Sequence, residues 1–290
     1  MIGPHLLPWW HGGFKLSSYD QGTGVLSEDE RHEAALALAK AERDREPIAP
    51  LSETCPGLEV ADAYDIQRLG VAERVEAGTA IKGHKVGLTS AAMQEQFGVA
   101  EPDYGHLLSD MFVLEGTTIV PSELCAPRVE VEVAFVLAEN LAGPGLTVAD
   151  VLRATAFVLP ALEVIDSRIV DWRITLADTI ADNASSARVI LGASPVCVDT
   201  LDLRLVGAVL YRNGEVAETG VSGAVLGNPA SAVCWLANKL AGFGLVLEAG
   251  QVVMPGSCTR AVSVGPGDDV RAEFDGLSSV SVRFDEARGS

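Results

Sequence analysis

The sequence predicts an α+β chain in which a small helical unit precedes a mainly β domain. Three observations predict it. Ser27 and Glu30 form a capping signature ahead of an Ala/Leu-rich run, and a second run carries apolar residues at helical spacing. From Ala80 onward the texture changes to short apolar segments separated by Gly, Pro and Asp, as in strands joined by tight turns. The tetrapeptide Arg212-Asn213-Gly214-Glu215 after an apolar run is a hairpin signal. The expected organisation is an extension over 1–26, a helical subdomain over 27–79 and a β-rich domain over 80–290.

The extension mixes Pro, Gly, Trp and Ser without periodicity and is assigned no function. The first helix runs from the Ser27 cap towards Arg45. The second covers Val60 to about Glu76, with Ala63, Ile66 and Leu69 on one face and Gly78 as its stop. Expected strands are Ile81 to Gly87, Met111 to Leu114, Val129 to Leu137, Phe157 to Ile165, Ala187 to Leu191, Leu203 to Tyr211, Gln251 to Met254 and Val280 to Phe284. Shorter helices are expected over Ala91 to Phe97, Val148 to Ala154 and Pro229 to Leu240. There is no internal repeat.

At 290 residues the chain can bury a substantial core. A net charge of −19 disfavours nucleic acid and anionic membrane surfaces as partners, which leaves a small molecule. If that molecule is an anion, its site must be locally positive through a metal or a lysine. No apolar run approaches a membrane span and no secretory leader is evident, so a cytoplasmic location is expected. Cys55, Cys125, Cys197, Cys234 and Cys258 lack paired spacing and read as reduced thiols.

The strongest chemical signal lies in Pro127-Arg128-Val129-Glu130-Val131-Glu132-Val133-Ala134-Phe135-Val136-Leu137. The period of a strand puts Glu130 and Glu132 on one face, where they can converge on one cation. A lone Glu-x-Glu is more often a strand whose polar face meets water. Here the same face continues as Ala134 and Val136, and charge on an apolar face needs a partner, for which a hard cation such as magnesium or manganese is suited. Glu163, in the apolar run Leu159-Pro160-Ala161-Leu162-Glu163-Val164-Ile165-Asp166, is the natural third ligand, with Asp166 a lesser candidate. Lys85 sits between Gly83 and Gly87, where the backbone can approach a ligand and the ammonium can neutralise an enolate or carboxylate, although a solvated lysine has the same sequence. Asp103 lies in turn-forming company and reads either as a Pro-Asp turn or as an acid/base. The segments 178–187 and 256–260 suit loops that close over a ligand or ordinary surface loops. No G-x-S-x-G elbow supports a serine nucleophile.

Taken in order, Lys85-Val86-Gly87-Leu88-Thr89-Ser90, Glu101-Pro102-Asp103-Tyr104-Gly105, Pro127 to Glu132, Ala161 to Asp166, Asp178 to Asn183 and Pro255-Gly256-Ser257-Cys258-Thr259-Arg260 resemble the 2-keto-4-pentenoate hydratase family of the fumarylacetoacetate hydrolase superfamily. The resemblance runs from about Ser27 to Phe284. It implies a mixed β-roll or barrel core, a divalent metal (Mg2+ or Mn2+) held by Glu130, Glu132 and Glu163, and Lys85 with Asp103 as the catalytic pair. Thr89, Ser186 and Ser257 are the implied substrate-binding residues. It further implies a homo-oligomer and association with a pathway aldolase or decarboxylase. The implied reaction is hydration of 2-hydroxypenta-2,4-dienoate to 4-hydroxy-2-oxopentanoate in a meta-cleavage pathway for aromatic or steroid rings, through protonation at C5 and addition of water at C4. Alternatives within the resemblance are hydration of 2-oxohept-4-ene-1,7-dioate and decarboxylation of 2-oxo-3-enedioates such as 4-oxalocrotonate. Hydrolysis of an acylpyruvate would need a His/Glu pair, for which His84 or His106 is the only material. A catalytically silent partner of a decarboxylase is the remaining alternative.

Overall fold

The computed structural model of the chain describes residues 24–286. Helix α1 (Glu28–Asp44) opens on the predicted capping box, with Ser27 and Glu30 satisfying each other's backbone N–H groups. After the one-turn α2 (Leu51–Thr54), α3 (Val60–Glu76) follows the predicted boundaries and ends before Gly78, whose φ of 105° suits glycine. Most of the expected extension, residues 1–23, lies outside the described residues. Its last part belongs to the body: Val25 and Leu26 donate their N–H groups to Asp62, which is fully buried and also receives Arg31 Nε at 2.9 Å.

The strands form two sheets. β1 (Ile81–Gly87), β2 (Asp103–Leu108), β3 (Phe112–Leu114), β5 (Arg128–Leu137), β6 (Thr155–Ile165), β7 (Ser186–Leu191) and β10 (Val252–Met254) run in the order β2-β1-β10-β5-β6-β7-β3, with β11 (Val262–Ser263) added on β5. The second sheet orders β4 (Thr118–Ile119), β8 (Gly207–Arg212), β9 (Glu215–Val221), β12 (Asp269–Phe274) and β13 (Ser278–Phe284) as β4-β13-β12-β8-β9. Parallel and antiparallel ladders are mixed in both, as expected for a mixed β core. The predicted hairpin joins β8 to β9, with Asn213 (φ 55°) and Gly214 (φ 81°) in the left-handed conformations of its turn. Helices α4 (Ala91–Phe97), α5 (Val148–Ala154) and α7 (Pro229–Ala241) stand where the sequence puts them.

Four differences have physical reasons. β2 was read as a turn because Pro102 and Asp103 dominate its start, yet all six of its residues are buried and pair with β1. β9 is polar and largely exposed on the edge of its sheet, and β12 alternates polar with apolar, so neither has the apolar density of a core strand. The strand expected from Leu203 starts only at Gly207, after a turn held by Ser222 Oγ. α6 (Leu176–Ala181) replaces the first half of the loop expected over 178–187, because Thr175 and Asp178 form a capping box.

The eight-stranded sheet has two buried faces with different contents. Val129, Val131, Val133, Tyr104, Val86 and Val253 face the main core, together with α1, α3, α7 and the second sheet. The other face carries a smaller apolar cluster of Leu107, Ala134, Leu159, Ala161, Val189, Val252 and Met254. The polar residues of interest lie on this second face.

Candidate metal centre and active site

β5 and β6 pair antiparallel with Glu130 opposite Glu163 and Glu132 opposite Ala161. Residues two apart on one strand share a face with their cross-strand partners, so the register alone brings the three carboxylates together. Their ligand atoms lie within 4.8 Å of one another. Glu132 and Glu163 are fully buried and Glu130 is half-buried. Oε1 of Glu132 and Oε2 of Glu163 are buried with no hydrogen-bond donor, and so is Oδ1 of Asp103. Buried carboxylate oxygens without hydrogen-bond donors are costly, and three acids this close repel one another, which the single Lys85 ammonium 3.5 Å from Glu163 Oε2 offsets only in part. An all-oxygen donor set with unfilled lone pairs is the chemistry that suits a hard divalent cation.

The titration behaviour follows from the same crowding. Burial pushes the Glu130 carboxyl up to about 7, with Lys85 pulling it back and Glu163 adding repulsion. Burial, then the charges of Glu163 and Glu130, hold Glu132 well above the usual carboxylate range. Burial raises Asp103 as well, against the opposing pull of Lys85. For Lys85, burial works against the ammonium, but the surrounding carboxylates, Glu163 first, keep it above the ordinary lysine value and charged.

These directions set the pH dependence of the metal-free protein. Glu130 and Glu132 keep protons in the folded state that the unfolded chain releases near 4.5, so their stabilising contribution is full below that value and is lost as pH rises, for Glu130 through about 7 and for Glu132 with the same sign. His84 and His106 have lowered values, through burial first, and contribute the opposite slope below their ordinary 6.5. Above that value only the carboxylates act. The melting temperature of metal-free protein is therefore expected to fall as pH rises from about 6.5 through about 7, and saturating magnesium to reduce the fall, because the cation favours deprotonated Glu130 and Glu132, whereas Asp182, pushed up to about 7 by burial, lies outside the trio. Melting curves with chelator and with magnesium check it; equal slopes under both conditions would sink the assignment.

Lys85 is placed by β1, two rungs from the Gly87–Asp103 pair on the same face. Its Nζ lies 3.5 Å from Glu163 Oε2 and donates to the Ala184 carbonyl at 3.1 Å. Gly87 lets the acid come close, since a Cβ there would meet Asp103 Oδ1 at 2.1 Å. Ala184 belongs to a buried turn in which Asn183, Ala184 and Ser185 all have left-handed φ values of 52°, 50° and 57°. Non-glycine residues are strained there, and the surroundings must over-determine the turn. Asn183 does so from one side, its Oδ1 accepting from His106 N at 2.8 Å and its Nδ2 donating to His106 O at 2.9 Å. Arg168, almost fully buried, does so from behind through Asp182 and the Ser186 carbonyl.

Asn183→Ala removes both bonds and orphans the His106 backbone. It is expected to cost about 2 kcal/mol of stability and to lower kcat about tenfold by releasing the Ala184 carbonyl from Lys85, with metal affinity little changed. Denaturation, steady-state kinetics and metal titration on one preparation separate these effects.

The remaining predicted residues are distributed around this centre. Ser186 Oγ donates to Glu163 Oε1 at 3.4 Å. Thr89 is buried against Gly256, where an added Cβ would sit 2.1 Å from Thr89 Oγ1. Gly256, at φ 115°, points its N–H at Glu132 Oε2 at 2.7 Å. Ser257 Oγ engages both backbone groups of Val131, the residue between the two glutamates. The other acids of the sequence motifs have caps to serve. Asp178 accepts from Ser52 and Thr175, and Asp166 accepts from the N–H groups of Cys125 and Ala126.

His84 and His106 stand opposite each other on β1 and β2, their rings tilted by 51° with centroids 4.9 Å apart. They lie on the face away from Lys85. His106 Nδ1 donates to Gln67 Oε1 at 3.1 Å, and Gln67 Nε2 donates to the carbonyls of Tyr104 and Ile180. Neither ring is therefore placed to activate water beside the glutamates, which removes the basis for a His/Glu hydrolase.

Sequence reasoning did not find the Ala184 carbonyl or the Gly256 N–H, because backbone groups carry no side-chain signature, and it held Asn183 only as the end of a motif without a role. The density of small polar residues over 178–187 was the only trace of the turn. A groove of about 400 Å³ between α1 and α3 holds none of the trio.

The chain is similar to known proteins over most of its length. The model of the fumarylacetoacetate (FAA) hydrolase C-terminal region matches residues 75–285. The chain is 47% identical over 256 residues to the 2-oxo-hept-4-ene-1,7-dioate hydratase of Escherichia coli, covering 86% of this chain and 96% of that protein. It is 43% identical over 260 residues to the 2-keto-4-pentenoate hydratase of Paraburkholderia xenovorans (strain LB400), covering 90% and 97%. Among solved structures, 4-oxalocrotonate decarboxylase from Pseudomonas putida G7, complexed with magnesium and adipate, superposes with a TM-score of 0.87 at 39% identity over 89% of this chain and 98% of that one.

Proposed function

Because this chain belongs to the 2-keto-4-pentenoate hydratase family of the fumarylacetoacetate hydrolase superfamily, we propose that it is a metal-dependent hydro-lyase that adds water to 2-hydroxydienoates, with 2-hydroxypenta-2,4-dienoate as reference substrate and 4-hydroxy-2-oxopentanoate as product. The observation that carries the reading is the trio Glu130, Glu132 and Glu163, converged within 4.8 Å with buried oxygens lacking donors, beside a buried lysine and a buried aspartic acid. The trio would hold a divalent cation, magnesium or manganese, which when bound supplies Lewis-acid polarisation and a template for the 2-oxo acid end. Lys85, held charged by its neighbours, stabilises negative charge on the C2 oxygen. Asp103, whose carboxyl burial pushes above the usual carboxylate value, carries the proton that moves during tautomerisation. Ser186, Thr89 and the Ser257 loop are the polar groups that orient the substrate. The apolar cluster beyond Ala134 and Ala161 keeps bulk water from the trio.

The test is anaerobic incubation of metal-free protein, with and without added magnesium or manganese, with freshly generated 2-hydroxypenta-2,4-dienoate. A metal-dependent loss of dienol absorbance with 4-hydroxy-2-oxopentanoate as product supports the reading. No loss, with carbon dioxide released from 2-oxohex-3-enedioate, replaces it with decarboxylation, the activity named for the structural neighbour at a TM-score of 0.87. A homo-oligomer is part of the proposal on the strength of the family resemblance. No helix of the described residues is long and apolar enough to cross a membrane.

A further inference from the structure

Arg128 opens the strand that carries the glutamates and shares their face, two residues before Glu130. Among the described residues no carboxylate or carbonyl is paired with its guanidinium. The group instead lies 4.3 Å from the ring centroid of Trp172, whose Nε1 is tied to the Ala126 carbonyl at 3.0 Å. A planar cation stacked on a fixed indole keeps its edge N–H groups available and loses little freedom on binding an anion. Along this face the order is Ala134, Glu132, Glu130, Arg128. Ala134 and its neighbour Ala161 are fully buried, Glu132 is buried, and Glu130 and Arg128 are half-buried. The inner end is closed, so the tail of any extended acid held at the trio leaves towards Arg128. The rise of a strand puts Arg128 about 7 Å beyond Glu130, a distance that the carbon chain of a seven-carbon diacid spans.

We propose that Arg128 determines specificity by pairing with a second, distal carboxylate, so that the substrates of this site include 2-hydroxydienoates or 2-oxo-enoates that end in a carboxylate. This assignment rests on the reading of the trio as the site that holds the 2-oxo acid end. Arg128 has a distal role, separate from Lys85: the lysine sits beside Glu163 at the buried end and the arginine at the open end.

The experiment uses inert analogues, so that it does not depend on turnover. Binding of 2-oxoheptanedioate and of 2-oxopentanoate to the magnesium-loaded protein is measured by calorimetry for the native chain, Arg128→Met and Arg128→Lys. The ratio of kcat/KM for the seven-carbon diacid dienoate over 2-hydroxypenta-2,4-dienoate is measured in parallel. The native chain is expected to bind the diacid about 10-fold or more tightly than the monoacid. Arg128→Met loses that preference and lowers the kcat/KM ratio by a similar factor, and Arg128→Lys keeps part of both. An absent preference in the native chain, binding of neither analogue, or equal weakening of both analogues in Arg128→Met overturns the assignment. An Arg128-dependent preference without hydration of either dienoate leaves the assignment standing and removes the hydratase reading, so the two fail separately.

Discussion

Glu132→Gln is expected to abolish metal binding and, with it, turnover. The amide matches the shape of the carboxyl but supplies no negative charge, at the position where Gly256 N–H holds one oxygen at 2.7 Å and leaves the other without a donor. Loss of an outer-shell partner already lowers metal affinity by roughly 10–100-fold, and a direct ligand is worth more. The same substitution removes one of three crowded acids, so the metal-free variant should melt no lower than the metal-free native chain and lose the stabilisation that magnesium brings. Calorimetric titration and paired melting curves read both effects. A variant that keeps native magnesium affinity would exclude Glu132 as a ligand.

Lys85→Met is the second large effect. Methionine keeps a buried apolar side chain of similar length but removes the ammonium beside Glu163 and leaves the Ala184 carbonyl without that donor. Loss of a preorganised positive group at a developing oxyanion lowers kcat by roughly 10²–10³-fold, whereas removing a cation that only repels the metal would tighten magnesium binding. The expected pattern is thus a large fall in kcat with metal affinity equal or higher. An undiminished kcat would take Lys85 out of the chemistry. Asp103→Asn should lower kcat without the gain in metal affinity, since it removes a proton carrier and not a like charge.

The two effects show why the site was legible in part. Glu130 and Glu132 announce themselves because a period-two pair of acids on an otherwise apolar strand face is chemically anomalous. Glu163 follows from the same anomaly. From its own surroundings Lys85 was visible only as a lysine between glycines, and Asp103 as either a Pro-Asp turn or an acid/base. What moved Asp103 from turn to buried strand is the pairing of β2 with β1 across Gly87, a contact between segments that no local window contains. The His84–His106 pair shows the opposite case. Both residues looked like possible water activators, and one step of strand register sends them to the face packed on Gln67. Asp178 and Asp166 likewise sit in recognisable motifs because caps and turns need carboxylates as much as chemistry does.

The sequence by itself determined the helices, the apolar strands and the identity of the three glutamates, because capping, periodicity and buried charge are local properties of the chain. Only the tertiary structure decided that Glu130 stands opposite Glu163, that the Ala184 carbonyl meets Lys85 and the Gly256 N–H meets Glu132, and that Arg128 lies over Trp172. Those depend on strand register and on a strained turn held by Asn183 and Arg168. Both are settled by contacts between residues far apart in the chain, whose free energy no single segment contains.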